Sequence, residues 1–184
     1  MCTGSDWETE IETFWSAHRS IFRMPQSSDR CGSHVHISPH PYKKWTTSQL
    51  RDIAVGIVHY ENHIQAMLPT SRRDHPCCQR NTISSPHFQQ YYSTRHGWQS
   101  LIPVIAKLDR VDIIKLMQKN RWVIWNFVHT KDGGTGTVEF RGGRYLRDAA
   151  QTRRWIAFAL GFIDLLVRKV SSTPIQGIAS SSNV

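Results

Sequence analysis

The chain has 184 residues, 39% of them hydrophobic, with seven tryptophans; that suffices for one domain to bury a core without disulfide staples, and no apolar run is long enough to span a bilayer. Lysine and arginine outnumber aspartate and glutamate 23 to 14, for a net charge of +9, which favours anionic partners such as nucleotide phosphates, polyphosphate or nucleic acid. Cys2, Cys31, Cys77 and Cys78 are too unevenly spaced for a disulfide framework. No signal-peptide pattern follows Met1, so a cytoplasmic protein is the expectation.

From the amino terminus, Ser5 to Glu8 fits a capping box, and Trp7, Ile11, Phe14, Trp15, His18 and Phe22 follow at helical spacing. A first helix is expected over about residues 6 to 20. Glu8, Glu10 and Glu12 alternate as on a strand, but the tryptophan stripe and the cap favour helix. After turn residues 25–30 comes Cys31-Gly32-Ser33-His34-Val35-His36-Ile37-Ser38, closed by Pro39 and Pro41. Strand alternation puts His34, His36 and Ser38 on one face and Val35 and Ile37 on the other. An apolar core lies behind such a strand, with a polar, metal-competent surface in front.

Thr46 to Gln49 is a second capping box, heading a helix of about 20 residues through Leu50, Ile53, Ala54, Ile57, Val58, Ile64 and Met67 to Pro69. Residues 69–97 are the least regular stretch, rich in Arg, His, Gln and Ser, and read as a functional or solvated basic loop. His75, Cys77, Cys78 and His87 could be imagined around zinc, but vicinal cysteines match none of the usual ligand pairs.

Val111, Ile114, Leu116 and Met117 predict a short helix over 110–119, and 121–129 reads as a largely buried strand. Gly133 to Gly136 turns the chain into Thr137-Val138-Glu139-Phe140-Arg141, so these two strands should pair antiparallel. Glu139 and Arg141 then share one face. If this strand joins the histidine strand in one sheet, His34, His36, Glu139 and Arg141 converge, a set able to hold a cation beside an anionic phosphate. Asp148 caps a last helix with Gln151, whose buried face carries Trp155, Ile156, Ala159, Phe162, Ile163 and Leu166. Arg153 and Arg154 in its first turn oppose the helix dipole unless an acid lies nearby. The serine-rich segment 171–184 is expected to be a disordered tail, and 1–170 the domain.

The order of these pieces resembles the amidoligase family, carboxylate-amine ligases related in fold to glutamine synthetase. It is carried by Cys31 to Pro39, by Leu68-Pro69-Thr70-Ser71-Arg72-Arg73 with Cys78 and Asn81 after it, by Trp125-Asn126-Phe127, and by Thr137 to Arg141 leading to Trp155. The resemblance implies an α+β fold, an antiparallel sheet with helices packed on one face, similar to part of the glutamine synthetase catalytic domain. It implies that His34 and Glu139 bind Mg²⁺, that His36 contacts ATP, and that Arg141 holds the phosphoryl group or substrate carboxylate. Arg72, Arg73, Asn81 and Asn126 would line the substrate site. ATP would activate a small-molecule carboxylate as an acyl phosphate, which an amine then attacks.

Family members usually carry a Gly-x-Glu-x-Glu strand ahead of this point, and the short segment before residue 6 does not contain it. A truncated or degenerate amidoligase domain is therefore expected, its two substrates and oligomeric state left open. Two other readings stand beside it: a non-catalytic basic module binding nucleotide, nucleic acid or protein, and a zinc hydrolase built on His34 and His36.

Overall fold

The β-branched runs form one antiparallel sheet in the order β1-β3-β2, with β1 at Gly32–Ile37, β2 at Trp125–Asn126 and β3 at Val138–Arg144. The computed structural model describes residues 6–23, 25, 28, 31–40, 43–88 and 97–171. Its helices are α1 (Trp7–Ile21), α2 (Thr47–Met67), the short α3 (Asn81–Ser84) and α4 (Ile102–Ile105), α5 (Arg110–Met117) and α6 (Ala149–Ser171), so the fold is α+β as expected. No helix among the described residues is long and apolar enough to cross a membrane.

Alternation places Val35, Ile37, Val138 and Phe140 on the back of the sheet, against α2 and α6. Phe140 is fully buried, with Trp125, Trp155 and Phe158 at ring-centroid distances of 4.8, 5.6 and 5.4 Å. Each such side chain contributes roughly 1.5–3 kcal/mol through burial. Gly56 lets α2 close on α6, because a Cβ there would run into Leu166.

The caps explain the helix starts. Thr46 and Gln49 form the expected capping box. The α1 cap differs: Asp6 accepts from the Thr9 N–H at 3.1 Å, and Ser5 lies outside the described residues. Glu12 of that helix pairs with Arg153, the acid that the basic start of α6 calls for. Asp148 accepts from Gln151 N at 2.7 Å, and Trp15 Nε1 donates to Thr152 at 2.8 Å, docking α1 on α6. The helix runs to Ser171, and the rest of the expected tail lies outside the described residues.

Two expectations need correction. Residues 121–129 are not one strand: β2 has two residues, because the Asn126 side chain accepts from Val128 N at 3.0 Å and turns the chain into a 3₁₀ segment at Val128–Thr130. Nor is the described part of the basic loop simply solvated. Arg72, Cys78, Asn81, Thr82, Ser85 and Phe88 are all buried, while 89–96 lie outside the described residues.

Glu61 of α2 helps to hold that loop. It sits on the apolar stripe, 5% exposed, and accepts from Thr82 N at 3.1 Å and from the Thr82 hydroxyl. Burial pushes its pKa up, against the pull of the Thr82 hydrogen bonds and of Arg80. A carboxyl with a raised folded-state pKa destabilises progressively as pH rises above its unfolded value. Glu61→Gln, which keeps an acceptor without the charge, should therefore be at least as stable as wild type at neutral pH, with the gap closing in acid. Glu61→Ala should lose about 1–3 kcal/mol at both, since the Thr82 groups are left unpaired. Urea unfolding at the two pH values measures this.

Candidate functional site

The front of the sheet is polar because β1 and β3 alternate in phase. His36 lies opposite Glu139 and Val35 opposite Phe140. Between Ser33 and Val35 the register slips, a bulge that leaves His34 beside Arg141. The structure thus brings His34, His36, Glu139 and Arg141 onto one face of one sheet.

Glu139 is the hub. It is 2% exposed, its Oε1 lying 2.8 Å from Arg141 Nη1 and 2.9 Å from His34 Nδ1, while Oε2 accepts from Asn126 Nδ2 at 2.7 Å. Burial alone would raise its pKa, but the hydrogen bonds from His34 and Asn126 and the Arg141 charge reverse this and hold it at about 2. The carboxylate is ionised at neutral pH. The short contact to Glu139 assigns a proton to His34 Nδ1, so Arg141 Nη1, 3.3 Å from that nitrogen, is a neighbour rather than a donor to it. His36 rests its Nδ1 on Thr137 Oγ1 at 3.0 Å. Desolvation lowers its pKa; Glu139 opposes the shift, and His129, His34 and Arg141 add to it, so the neutral imidazole is favoured.

Arg141 is fixed from several sides. Beyond Glu139, its guanidinium carbon lies 5.4 Å from the centroid of the Trp122 ring, and its Nε is buried with no partner among the described residues. Behind it sits Arg72, 2% exposed, whose Nη2 donates to the Arg141 carbonyl at 2.8 Å. Gly32 makes room for that guanidinium: a Cβ there would stand 2.6 Å from Arg72 Nη2.

Of the other expected substrate residues, Arg73 and Asn81 bind backbone away from this cluster, whereas Asn126 belongs to it. Arg73 donates to Leu68 O at 2.9 Å and to Ala66 O at 2.8 Å, closing the end of α2. Asn81 is fully buried and binds backbone: Nδ2 donates to Met117 O at 2.8 Å and Trp125 O at 2.7 Å, and Oδ1 accepts from Trp125 N at 3.2 Å. Asn126 is on the site face, committed to Glu139 and to the Val128 amide. The imagined zinc set is not assembled: Cys78 Sγ donates to Arg72 O at 3.0 Å, His75 Nδ1 accepts from Cys77 N at 3.1 Å, and no metal-competent cluster among the described residues includes them.

One residue of the site was not foreseen. His129 Nε2 lies 3.4 Å from Glu139 Oε2, and its ring is 5.1 Å from that of His36. Strand alternation through 125–129 would have placed it on the core side with Trp125 and Phe127; the 3₁₀ turn after Asn126 brings it forward.

Fold and face together define an α+β protein in which the sheet and the 3₁₀ turn after β2 gather an ionised carboxylate, a fixed guanidinium and three imidazoles on one side. Residues 2–163 match the family model described as "Putative amidoligase enzyme", and the chain belongs to that family. No curated protein and no solved structure matches it.

Mg²⁺ does not fit the groups gathered here. That ion demands oxygen ligands in octahedral array. Among the described residues Glu139 is the one carboxylate in the cluster, and His34, the nitrogen expected to share the ion, is hydrogen-bonded to it directly.

Proposed function

We propose that this chain joins a small-molecule carboxylate to an amine at the expense of ATP, through an acyl phosphate. The observation that supports it most is Arg141: a guanidinium locked to Glu139, on a strand whose Arg141 carbonyl is held by Arg72, and set beside the part-exposed imidazole of His34. A donor held in this way is preorganised for charge developing on phosphoryl or carboxylate oxygens. In the first step a carboxylate oxygen attacks the γ-phosphorus, the bond to ADP breaks and ADP leaves. The amine nitrogen then attacks the acyl carbon; the C–N bond forms, phosphate departs and the nitrogen gives up its proton. Arg141 stabilises the transferred phosphoryl group in both steps, and His36 meets the nucleotide with the exposed part of its ring. Glu139 and Asn126 keep Arg141 in place. Magnesium enters with the nucleotide as its complex, and no step is assigned to a protein-held Mg²⁺.

Phosphate release from Mg-ATP over mixed carboxylates and amines tests the proposal. Arg141→Ala should cost about 10²- to 10³-fold in rate, and Arg141→Lys should recover only part, since a point charge does not reproduce the planar fork. Absence of both turnover and Mg-ATP binding by the wild-type chain would overturn the ligase reading in favour of a basic binding module.

A further inference from the structure

We infer that His36, His129 and Glu139 hold one divalent transition-metal ion of the zinc class. One ligand atom from each of the three lies within 4.8 Å of the others. Around a tetrahedral ion with bonds of about 2.0–2.1 Å, ligand atoms sit about 3.3 Å apart. Glu139 Oε2 stands 3.4 Å from His129 Nε2, and Oε1, the other oxygen of the same carboxylate, 3.6 Å from His36 Nε2. Those separations exceed the 2.7–2.9 Å or so of a charge-assisted hydrogen bond, so neither imidazole makes the short contact to Glu139 that His34 makes. The His129–Oε2 separation matches an edge of a coordination tetrahedron instead, and small side-chain shifts bring His36 Nε2, already within the same 4.8 Å group, to the other two.

The surroundings are those of a supported ligand set. Thr137 fixes the His36 ring through Nδ1, which leaves Nε2 toward the carboxylate. Oε1 of Glu139 already meets Arg141 and His34, whereas Oε2 accepts only from Asn126 among its short contacts, so the ion takes the second lone pair of Oε2. The His36 and His129 side chains are 45% and 36% exposed, which leaves the fourth position to water or a ligand oxygen. Two nitrogens and one oxygen suit zinc, cobalt or ferrous iron rather than magnesium. The ion and Arg141 share the single negative charge of Glu139, so the loaded site carries excess positive charge and attracts anions. This inference is independent of the ligase reading, because metal binding is measured without nucleotide or substrates.

The test uses the full chain, stripped with chelator and titrated with Zn²⁺ or Co²⁺ alone. One equivalent should bind, and Co²⁺ should give visible ligand-field bands without near-ultraviolet thiolate charge transfer. His129→Ala, and separately His36→Ala, should weaken binding by about 10²-fold or more, and Thr137→Ala by about 10-fold. His75→Ala should leave it unchanged, and excess Mg²⁺ should not displace the ion. Circular dichroism checks the fold of each variant; both histidines are partly exposed, so one folded variant suffices to decide. No saturable binding by wild type, thiolate bands, displacement by Mg²⁺, or unaltered affinity in the folded histidine variants would each overturn the inference.

Discussion

Glu139→Ala should destabilise the metal-free protein by about 3–5 kcal/mol, since removing one partner leaves the other charge buried and unpaired. Arg141, 7% exposed, has its closest anion in Glu139 at 2.8 Å, and the same substitution strands the Asn126 amide and His34 Nδ1. The pair itself need not stabilise the fold. Glu139→Leu combined with Arg141→Met should recover most of the loss, because two apolar groups of similar size avoid the desolvation that the ions suffer. Urea unfolding of the single and double variants gives the coupling energy. A double variant as unstable as the sum of the singles would mean that the two side chains act separately.

The same pair sets an acid limit. Glu139 has a folded-state pKa of about 2, below the ordinary value of 4.5. Its contribution is thus fully present above pH 4.5 and lost as pH falls toward 2. A depression of this size corresponds to about 3 kcal/mol, so wild type with chelator should lose stability steeply over that interval, and Glu139→Gln should show a flatter profile there.

How far the sequence reveals this site depends on what each signal measures. Alternation in β1 and β3 is a local property of the backbone, and it places His34, His36, Glu139 and Arg141 correctly. The bulge beside His34 depends on the pairing of two distant segments, and nothing in either strand announces it. His129 was missed for a related reason: its run of aromatic and β-branched residues reads as strand, while the Asn126 side chain competes for the backbone and ends it. Asn126 carries that signal, an Asx turn in front of a glycine-rich loop. Glu61 was legible in principle, a carboxylate three residues before Ile64 and four after Ile57 on an apolar stripe. The basic loop misled because composition reports solvation, whereas Arg72 and Asn81 are buried by backbone hydrogen bonds that composition does not encode.

Asn81 is where loop and site meet, and its replacement should be as damaging as loss of Glu139. Its amide closes three backbone groups that have no water to turn to: the carbonyls of Met117 and Trp125 and the N–H of Trp125. Each orphaned group costs about 1–3 kcal/mol, so Asn81→Ala should lose roughly 3 kcal/mol or more. Asn81→Asp should be worse despite its near-identical shape, because a carboxylate oxygen would replace the donor and face two carbonyls. The effect reaches the site through β2: Trp125 precedes Asn126, whose amide helps keep Glu139 ionised. Hydrogen exchange should therefore show faster opening of Trp125 and Phe127 in Asn81→Ala while the amides of α1 keep their protection. Uniform acceleration across the chain would instead assign Asn81 to global stability alone, with no particular hold on the sheet that carries Asn126.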